Sequence, residues 1–244
     1  MKKNILIFCT VLTMLSLTAF TYINLNEPIT CQKVAKQVGF DLFYNVDSRF
    51  KATISKEALH KATSVLEIVP KEAENWWKAS FQTVKVTVIQ DGDEMYALGD
   101  NKVLNAAQIK LLQSTDYSNN FYINARSKNS DFDDYAYSIT IIPEKEAEYI
   151  HGYDALITYL KENSREKTAI IKENQLQPGK VSFTVTKEGT IANVKLTSTS
   201  GYASVDKMLI ELIKNMPGKW NPAENSRGEK VEQELVFFFG LEGC

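Results

Sequence analysis

The chain offers few residues whose types and spacing could support catalysis or metal binding. Its two histidines, His60 and His151, lie far apart with no cysteine near either, whereas a zinc site needs three or four ligands. Ser198, Thr199 and Ser200 supply hydroxyl groups, but no general base is placed beside them by the sequence, so we expect loop and helix-cap residues instead of nucleophiles. The sequence has no Gly-x-Ser-x-Gly pattern and no phosphate-binding loop. It therefore predicts that the protein is not an enzyme and has no cofactor.

Two acidic segments have a composition that suits calcium. Residues 91–94 read Asp-Gly-Asp-Glu, and residues 131–134 read Asp-Phe-Asp-Asp. Neither segment has the glycine and glutamate positions of an EF-hand loop. Because Asp and Gly are also the common residues of solvated turns, we interpret both segments as turns and predict no metal site.

The charge balance argues against two classes of partner. The formal net charge is −2, and Lys2 and Lys3 belong to an N-terminal segment whose removal makes the chain more acidic. No basic stripe is present, so the sequence argues against nucleic acid and anionic lipid as partners. No small-molecule substrate is evident either.

The N-terminal segment predicts export. Two lysines precede an apolar run over residues 5–19, which is shorter than the roughly 20 residues of a membrane-spanning helix. Leu17, Thr18 and Ala19 suit a signal-peptidase site, so we expect residues 1–19 to be a cleaved signal peptide. The alternative is an uncleaved anchor that residues 20–23 lengthen.

Two cysteines remain once the signal peptide, with Cys9, is removed. Cys31 and Cys244 then lie near the two ends of the mature chain. In an oxidising compartment such a pair can form a disulfide. Two free thiols are the other interpretation, and the sequence leaves both open.

Residues 20–143 have the pattern of an α+β module with mostly antiparallel strands. The predicted strands are residues 40–46, 82–89, 95–98, 121–125 and 135–142. Ser55 caps a predicted helix that continues to Pro70, and Asn105 with Gln108 forms a capping box for a second helix. Residues 144–178 then form a connection with a helix over residues 153–162 and a short strand over residues 169–171.

Residues 179–244 predict a β-β-α-β unit, an antiparallel sheet with one helix packed on a face. Val181, Phe183 and Val185 alternate with polar residues, and Gly189 provides the turn to a second alternating strand. An amphipathic helix follows and ends at Pro217. The chain then finishes with a long apolar strand.

These residues resemble a known family. Those that carry the resemblance are Gly179, Val181, Phe183, Val185, Gly189, Val194, Ser200, Gly201, Asp206, Pro217, Trp220, Pro222, Ala223, Gly228 and Val231. In this order they are similar to the TonB C-terminal domain, and residues 151–156 resemble its lead-in helix, so the resemblance covers roughly residues 144–240. The family's Tyr-Pro before the first strand and its Pro-rich spacer are missing.

The resemblance implies a function and a compartment. It implies a periplasm-facing protein, anchored in the inner membrane if the N-terminal segment is not cleaved. Its partner would be a TonB-dependent outer-membrane receptor or another envelope protein. A short receptor segment would add as a strand to a sheet edge, in support of TonB-dependent transport.

The last strand is the expected docking edge, because a long apolar strand at a terminus is otherwise exposed to aggregation. The predicted docking residues are Lys230, Val231, Glu232, Gln233, Glu234, Leu235, Val236 and Phe237. The alternative is a structural or assembly protein without energy coupling, in which two copies pair through this strand or the N-terminal module covers it. Trp220 is interpreted as a core residue, with a recognition aromatic as the alternative.

Overall fold

The computed structural model describes residues 41–73, 76, 78, 80–90, 93–128 and 135–241, and residues 42–241 form one contact unit. In chain order the strands are β1 Leu42–Asp47, β2 Ala52–Ser55, β3 Phe81–Gln90, β4 Asp93–Gly99, β5 Asn120–Ser127, β6 Tyr135–Ile142, β7 Glu148–Tyr149, β8 Gly179–Val185, β9 Ile191–Ser198, β10 Trp220–Asn221, β11 Ala223–Glu224, β12 Lys230–Val231 and β13 Gln233–Leu241. The α-helices are α1 Lys56–Lys61, α2 Ala106–Gln113, α3 Tyr153–Thr168 and α4 Ala203–Lys214. The fold is α+β with mostly antiparallel sheets, as the sequence predicts.

A five-stranded sheet contains the strands of the N-terminal part other than β1, in the order β2-β6-β5-β3-β4. Its neighbours are antiparallel except for the parallel pair of β2 and β6. The predicted apolar face of β3 is confirmed, since Val84, Val86 and Val88 are buried, but Thr87 on the predicted polar face is buried as well. Trp76 packs edge-on against Phe81 and closes the same core.

The two helices of this part agree only partly with the prediction. The Asn105–Gln108 capping box at α2 is confirmed, with both reciprocal hydrogen bonds present. The helix predicted from Ser55 to Pro70 is wrong beyond Lys61, where α1 ends. Ser64 instead forms a bridge with Val103, and a separate 3-10 turn follows at Val65–Glu67. Tertiary pairing therefore overrides the helical spacing of the apolar residues.

A four-stranded antiparallel sheet contains the C-terminal strands, in the order β1-β13-β8-β9. Its core side chains on β8 are Val181, Phe183 and Val185, each 0 % exposed. Helix α4 contacts β8 and β9, and α3 contacts α4 and β1. The strand at the far side of β13 is β1, which comes from the opposite end of the described chain.

The connection between the sheets differs from its prediction in one place. Helix α3 continues to Thr168, and the strand predicted at residues 169–171 is wrong. Ser164 is fully buried in the added turns and bonds to Tyr44 of β1, so tertiary contact supports polar turns that the apolar pattern does not mark. Two short ladders, β7 with β10 and β11 with β12, complete this region.

Candidate functional site

The predicted docking residues lie in two different ladders. Lys230 and Val231 form β12, which pairs with β11. Gln233 begins β13, whose inner side pairs with β8 from Gln233↔Val185 to Phe239↔Gly179. The structure therefore divides the predicted docking strand after Val231.

The expectation that the last strand is a sheet edge is wrong for Val236 onward. There β1 pairs with β13 from Asp47↔Val236 to Leu42↔Leu241. Val236 and Phe237, two of the predicted docking residues, consequently have a strand on both sides. The physical reason is that a long apolar strand needs two neighbours to bury its backbone polar groups, and β1 supplies the second. Whether residues 230–237 bind a partner stays a prediction.

Short contacts from the N-terminal part cover β13 where β1 stops. The Glu234 backbone N–H donates to Ser118 Oγ at 2.7 Å, and Arg49 Nη2 lies 3.1 Å from the Glu234 carboxylate. Gln233 Oε1 accepts from the Ala147 backbone N–H at 2.7 Å. Polar side chains, and not a strand, therefore occupy this stretch of the edge.

Tyr44 anchors β1 to the rest of the sheet. Its ring lies 5.3 Å from the ring of Phe239 and 6.1 Å from that of Phe237, measured between centroids. Its hydroxyl is 2.6 Å from Ser164 Oγ. Burial raises the pKa of the Tyr44 phenol above its ordinary value, against the lowering effect of the Ser164 hydrogen bond, so the neutral form is held. Of the six residues of β1, only Tyr44 and Val46 are buried.

Strand β9 is the opposite edge of the same sheet. Asn193, Lys195, Leu196 and Thr197 are exposed along it, and three of these four residues are polar. A charged, polar edge is one of the devices by which proteins prevent unwanted strand pairing. The apolar β13 has no such protection of its own, which is consistent with its cover by β1.

A cavity of about 210 Å³ opens beside the end of the β1–β13 ladder. Val46, Leu156 and Leu235 supply apolar walls, and Tyr149, Tyr153 and Trp220 supply aromatic ones. Asp47, Glu146 and Glu148 bring three carboxylates, and the lining includes no Lys, Arg or His. Sequence reasoning missed this site, because its residues come from five separate segments.

Trp220 is 6 % exposed, which confirms its interpretation as a core residue. Its ring packs at 5.6 Å from that of Tyr149 and 5.8 Å from that of Phe183. Its Nε1 is buried and has no hydrogen-bond partner. An unpaired buried donor is unfavourable and calls for an acceptor.

Thr199 and Ser200 form a loop, as expected, whereas Ser198 is the last residue of β9, and none of the three caps α4, whose N-cap is Tyr202. The Asp206 carboxylate accepts from Thr199 Oγ1, from the Ser200 backbone N–H and from Ser200 Oγ at 2.5–2.7 Å. Thr199 and Ser200 thus donate to a buried carboxylate that holds the loop to the first turn of α4.

Several predicted features fall elsewhere. Cys31, Cys244, residues 91–92 and residues 131–134 lie outside the described residues, so the disulfide and the acidic turns stay predictions. Within the described ranges, no group of three or more His, Cys, Asp or Glu is arranged to hold a metal ion. In the same part of the chain, no helix has the length and apolar character to cross a membrane.

Residues 177–241 match one family model, described as Gram-negative bacterial TonB protein C-terminal. This match confirms the resemblance found in the sequence, and it begins close to β8 and ends at the last residue of β13. Residues 1–176, including β1 and the five-stranded sheet, lie outside the match. Comparison with curated proteins and with solved structures gave no match.

Proposed function

Because residues 177–241 form a TonB C-terminal domain, we propose that this protein is a periplasm-facing, TonB-like protein that binds a short segment of an outer-membrane receptor. Domains of this family interact with outer-membrane receptors, and the family suggests a role in transport. The proposed mode is strand addition at residues 230–237, of which residues 233–237 belong to the four-stranded sheet. The proposal is a binding function and includes no catalytic step.

The observation that carries the proposal is the pairing of β1 with β13. It supports strand addition, because the β13 edge takes an extended antiparallel strand over six residue pairs. The same pairing places a condition on the proposal. A receptor segment that reaches Val236 and Phe237 must exchange with β1.

Replacement of β1 by a receptor segment changes the number of backbone hydrogen bonds little. An incoming strand replaces the backbone hydrogen bonds of β1, so the net cost comes from the side chains of Tyr44 and Val46 and from the Tyr44 hydroxyl. Burial of one such side chain contributes about 1.5–3 kcal/mol. Because β1 is part of the same chain, its effective concentration beside β13 is high. The apparent affinity for the receptor segment is therefore the intrinsic affinity multiplied by the fraction of molecules in which β1 is released.

A reversible crosslink between β1 and β13 tests the proposal directly. Asn45 and Phe238 face each other in the register, and opposed residues in antiparallel strands have a separation that suits a disulfide. We expect Asn45→Cys/Phe238→Cys, with Cys9, Cys31 and Cys244 replaced by Ser, to bind receptor peptides when reduced and not when oxidised. The probes are synthetic peptides of the periplasmic segments of outer-membrane receptors from the same organism, and calorimetry is the readout.

The control is the same cysteine-free background with Asn45 and Phe238 intact, in which the reductant should change nothing. Equal affinity in the oxidised and reduced forms would show that docking does not involve the part of β13 that pairs with β1, from Val236 onward. No binding in either form, with β1 also weakened by Tyr44→Ala, would contradict receptor binding itself.

A second candidate function is structural, with β1 as a permanent member of the sheet and no energy coupling. The observation in its favour is the buried Tyr44 hydroxyl and its bond to Ser164, which hold β1 in one register. In this case the oxidised crosslink leaves the protein's role in the envelope unchanged. Light scattering across protein concentrations tests the related alternative of a homodimer, whose available strand edges in the described sheet are those of β1 and β9.

A further inference from the structure

We infer that Ser118 blocks strand addition at the start of β13, so that the five-stranded sheet holds this part of the docking edge closed. The inference rests on the proposed function for the natural partner, but the block itself does not depend on it. Three observations support the block: the direction of the Glu234 N–H, the register of β1 and the way in which Ser118 is held.

The Glu234 backbone faces the side of β13 on which a strand would add. Glu234 lies opposite Thr184 of β8, but its N–H donates to Ser118 Oγ at 2.7 Å and therefore points away from β8. Alternate residues of an antiparallel strand direct their backbone groups to the same neighbour, so Val236 and Phe238 face the same way as Glu234. Glu234 thus continues the row of backbone groups that β13 presents to β1.

The β1–β13 ladder stops before it reaches Glu234. Its last pair is Asp47↔Val236, and the same register would set Arg49 opposite Glu234. Arg49 contacts Glu234 through its side chain, with Nη2 3.1 Å from the carboxylate. The backbone turns away at this point, since the Phe50 N–H donates to a threonine hydroxyl of β6 at 3.0 Å. Strand β1 therefore ends before it can offer a carbonyl to the Glu234 N–H.

The Ser118 hydroxyl occupies the position that such a carbonyl would take. The Glu234 N–H has one hydrogen atom, and the distance of 2.7 Å to Ser118 Oγ is that of a full hydrogen bond. A strand that extends past Val236 toward Gln233 must therefore displace Ser118. Because β1 covers Val236 onward and Ser118 covers Glu234, the two together close the predicted docking edge within β13.

The turn that carries Ser118 is fixed to the five-stranded sheet. The Ser118 N–H donates to the Ile141 carbonyl at 2.8 Å, and the Ile141 N–H donates to the Asn119 carbonyl at 3.0 Å. Asp116, two residues before Ser118, lies 2.8 Å from Lys56 Nζ at the start of α1. The block therefore belongs to the five-stranded sheet, and its release requires this turn to separate from β13.

The backbone of Ser118 makes a clean test possible. It has φ 64°, a left-handed conformation that glycine adopts without the steric cost of a side chain. Ser118→Gly therefore removes the hydroxyl and keeps a backbone that the turn accepts. Asn193→Gly is the matched control, because Asn193 has φ 52° and lies on β9, which β8 separates from β13.

The probes are two peptides copied from the chain's own β1. One has the sequence of residues 42–51 and reaches Glu234 in the native register, whereas the other has residues 42–47 and stops at Val236. The protein is the full chain with Tyr44→Ala, which weakens its own β1, and both peptides keep the tyrosine. Fluorescence anisotropy of the labelled peptides gives their dissociation constants.

Ser118→Gly should tighten binding of the 42–51 peptide by about fivefold, the factor that one hydrogen bond contributes. The 42–47 peptide should keep its affinity, because it does not reach Glu234, and Asn193→Gly should change neither affinity. An unchanged affinity for the longer peptide, or no binding of it to the variant, would overturn the inference. An equal gain for both peptides would also overturn it, because the variant would then have loosened the whole edge.

Receptor peptides in the same assay separate this inference from the proposed function. If they fail to bind while the 42–51 peptide shows the fivefold gain, receptor binding is contradicted and the block by Ser118 is supported. If they bind the parent and Ser118→Gly equally while the 42–51 peptide shows no gain, receptor binding is supported and the block is contradicted.

Discussion

The two edge strands of the four-stranded sheet, β1 and β9, are attached by different means. Strand β9 follows β8 after a tight turn in which the Thr186 backbone N–H donates to the Thr190 carbonyl. Strand β1 pairs with β13 across nearly the whole described chain, so its closure entropy is much larger. The exposed residues of β9 are mostly polar, whereas β1 covers an apolar strand.

This difference indicates which edge strand of the sheet, β1 or β9, can be replaced by another segment. A strand held by a tight turn re-forms at once when it opens, because its neighbour is adjacent in sequence. A strand held by two buried side chains, Tyr44 and Val46, has weaker local support and is replaceable by a segment of similar sequence. The contrast between the two edges leads to four predictions, given in decreasing order of the expected loss in the free energy of unfolding.

Gly189→Ala should disrupt the β9 side strongly. Gly189 has φ +75°, and a Cβ added there would lie 2.1 Å from the Trp220 carbonyl oxygen. We expect the free energy of unfolding in urea to fall by about 3 kcal/mol or more, from the clash and the backbone strain together. Gly228→Ala is the control, since Gly228 has φ +74° but no atom within 4 Å of the added Cβ. Equal losses in the two variants would show that backbone strain alone acts at Gly189.

Asp206→Asn should weaken the loop between β9 and α4. The buried carboxylate accepts three hydrogen bonds, and an amide replaces one of its acceptor oxygens with a donor. We expect a loss of about 2 kcal/mol in the free energy of unfolding. Asp154→Asn, also in the first turn of a helix but exposed, should change it by less than about 0.5 kcal/mol. If Asp206→Asn lowers the free energy of unfolding by less than Asp154→Asn does, water must replace the three hydrogen bonds to the carboxylate.

Tyr44→Phe should loosen β1 while the rest of the sheet stays intact. The change removes the hydroxyl bond to Ser164, which contributes about 1 kcal/mol. Hydrogen exchange should show faster exchange for β1 amides than for β8 amides, and receptor-peptide affinity should rise. Tyr153→Phe removes an exposed hydroxyl bond to Asn45 of the same strand and should have a smaller effect. If amide hydrogens exchange equally faster in β1 and β8, the two strands open as one cooperative unit. That result would argue against replacement of β1 by a receptor strand.

Lys195→Ala should have the smallest effect, within about 0.5 kcal/mol, because Lys195 is exposed on the outer edge strand. Peptide affinity should also stay the same if docking takes place on the β1 side. Loss of peptide binding in this variant, with its stability preserved, would move the docking edge to β9.

The elements of the C-terminal sheet were predictable from local patterns. The alternation of β8, the glycine turn and the apolar stripe of α4 each reflect neighbours in sequence, as does the capping box of α2. Such patterns state which face of a strand is buried. They do not state which strand lies beside it, so cover of the last strand by the N-terminal module was predicted only as an alternative, without the segment β1 that provides it.

The same limit explains the other differences. The helix predicted from Ser55 was too long because Ser64 pairs with Val103, a residue from a distant segment. The cavity beside Trp220 collects carboxylates that are unremarkable one at a time in the sequence. For the candidate docking strand, the sequence identified β13 as the apolar strand in need of cover, but not the segment that covers it.

The position of β13 in the middle of its sheet has a consequence for the order in which the chain folds. All five strands of the other sheet are present once residue 142 has been synthesised. The four-stranded sheet lacks a central strand until residues 233–241 emerge, so β8 and β9 wait as a hairpin, and β1 waits without its partner. We therefore expect the four-stranded sheet to form after the five-stranded sheet during synthesis, with β1 and β8 the segments that lack a neighbour in the interval.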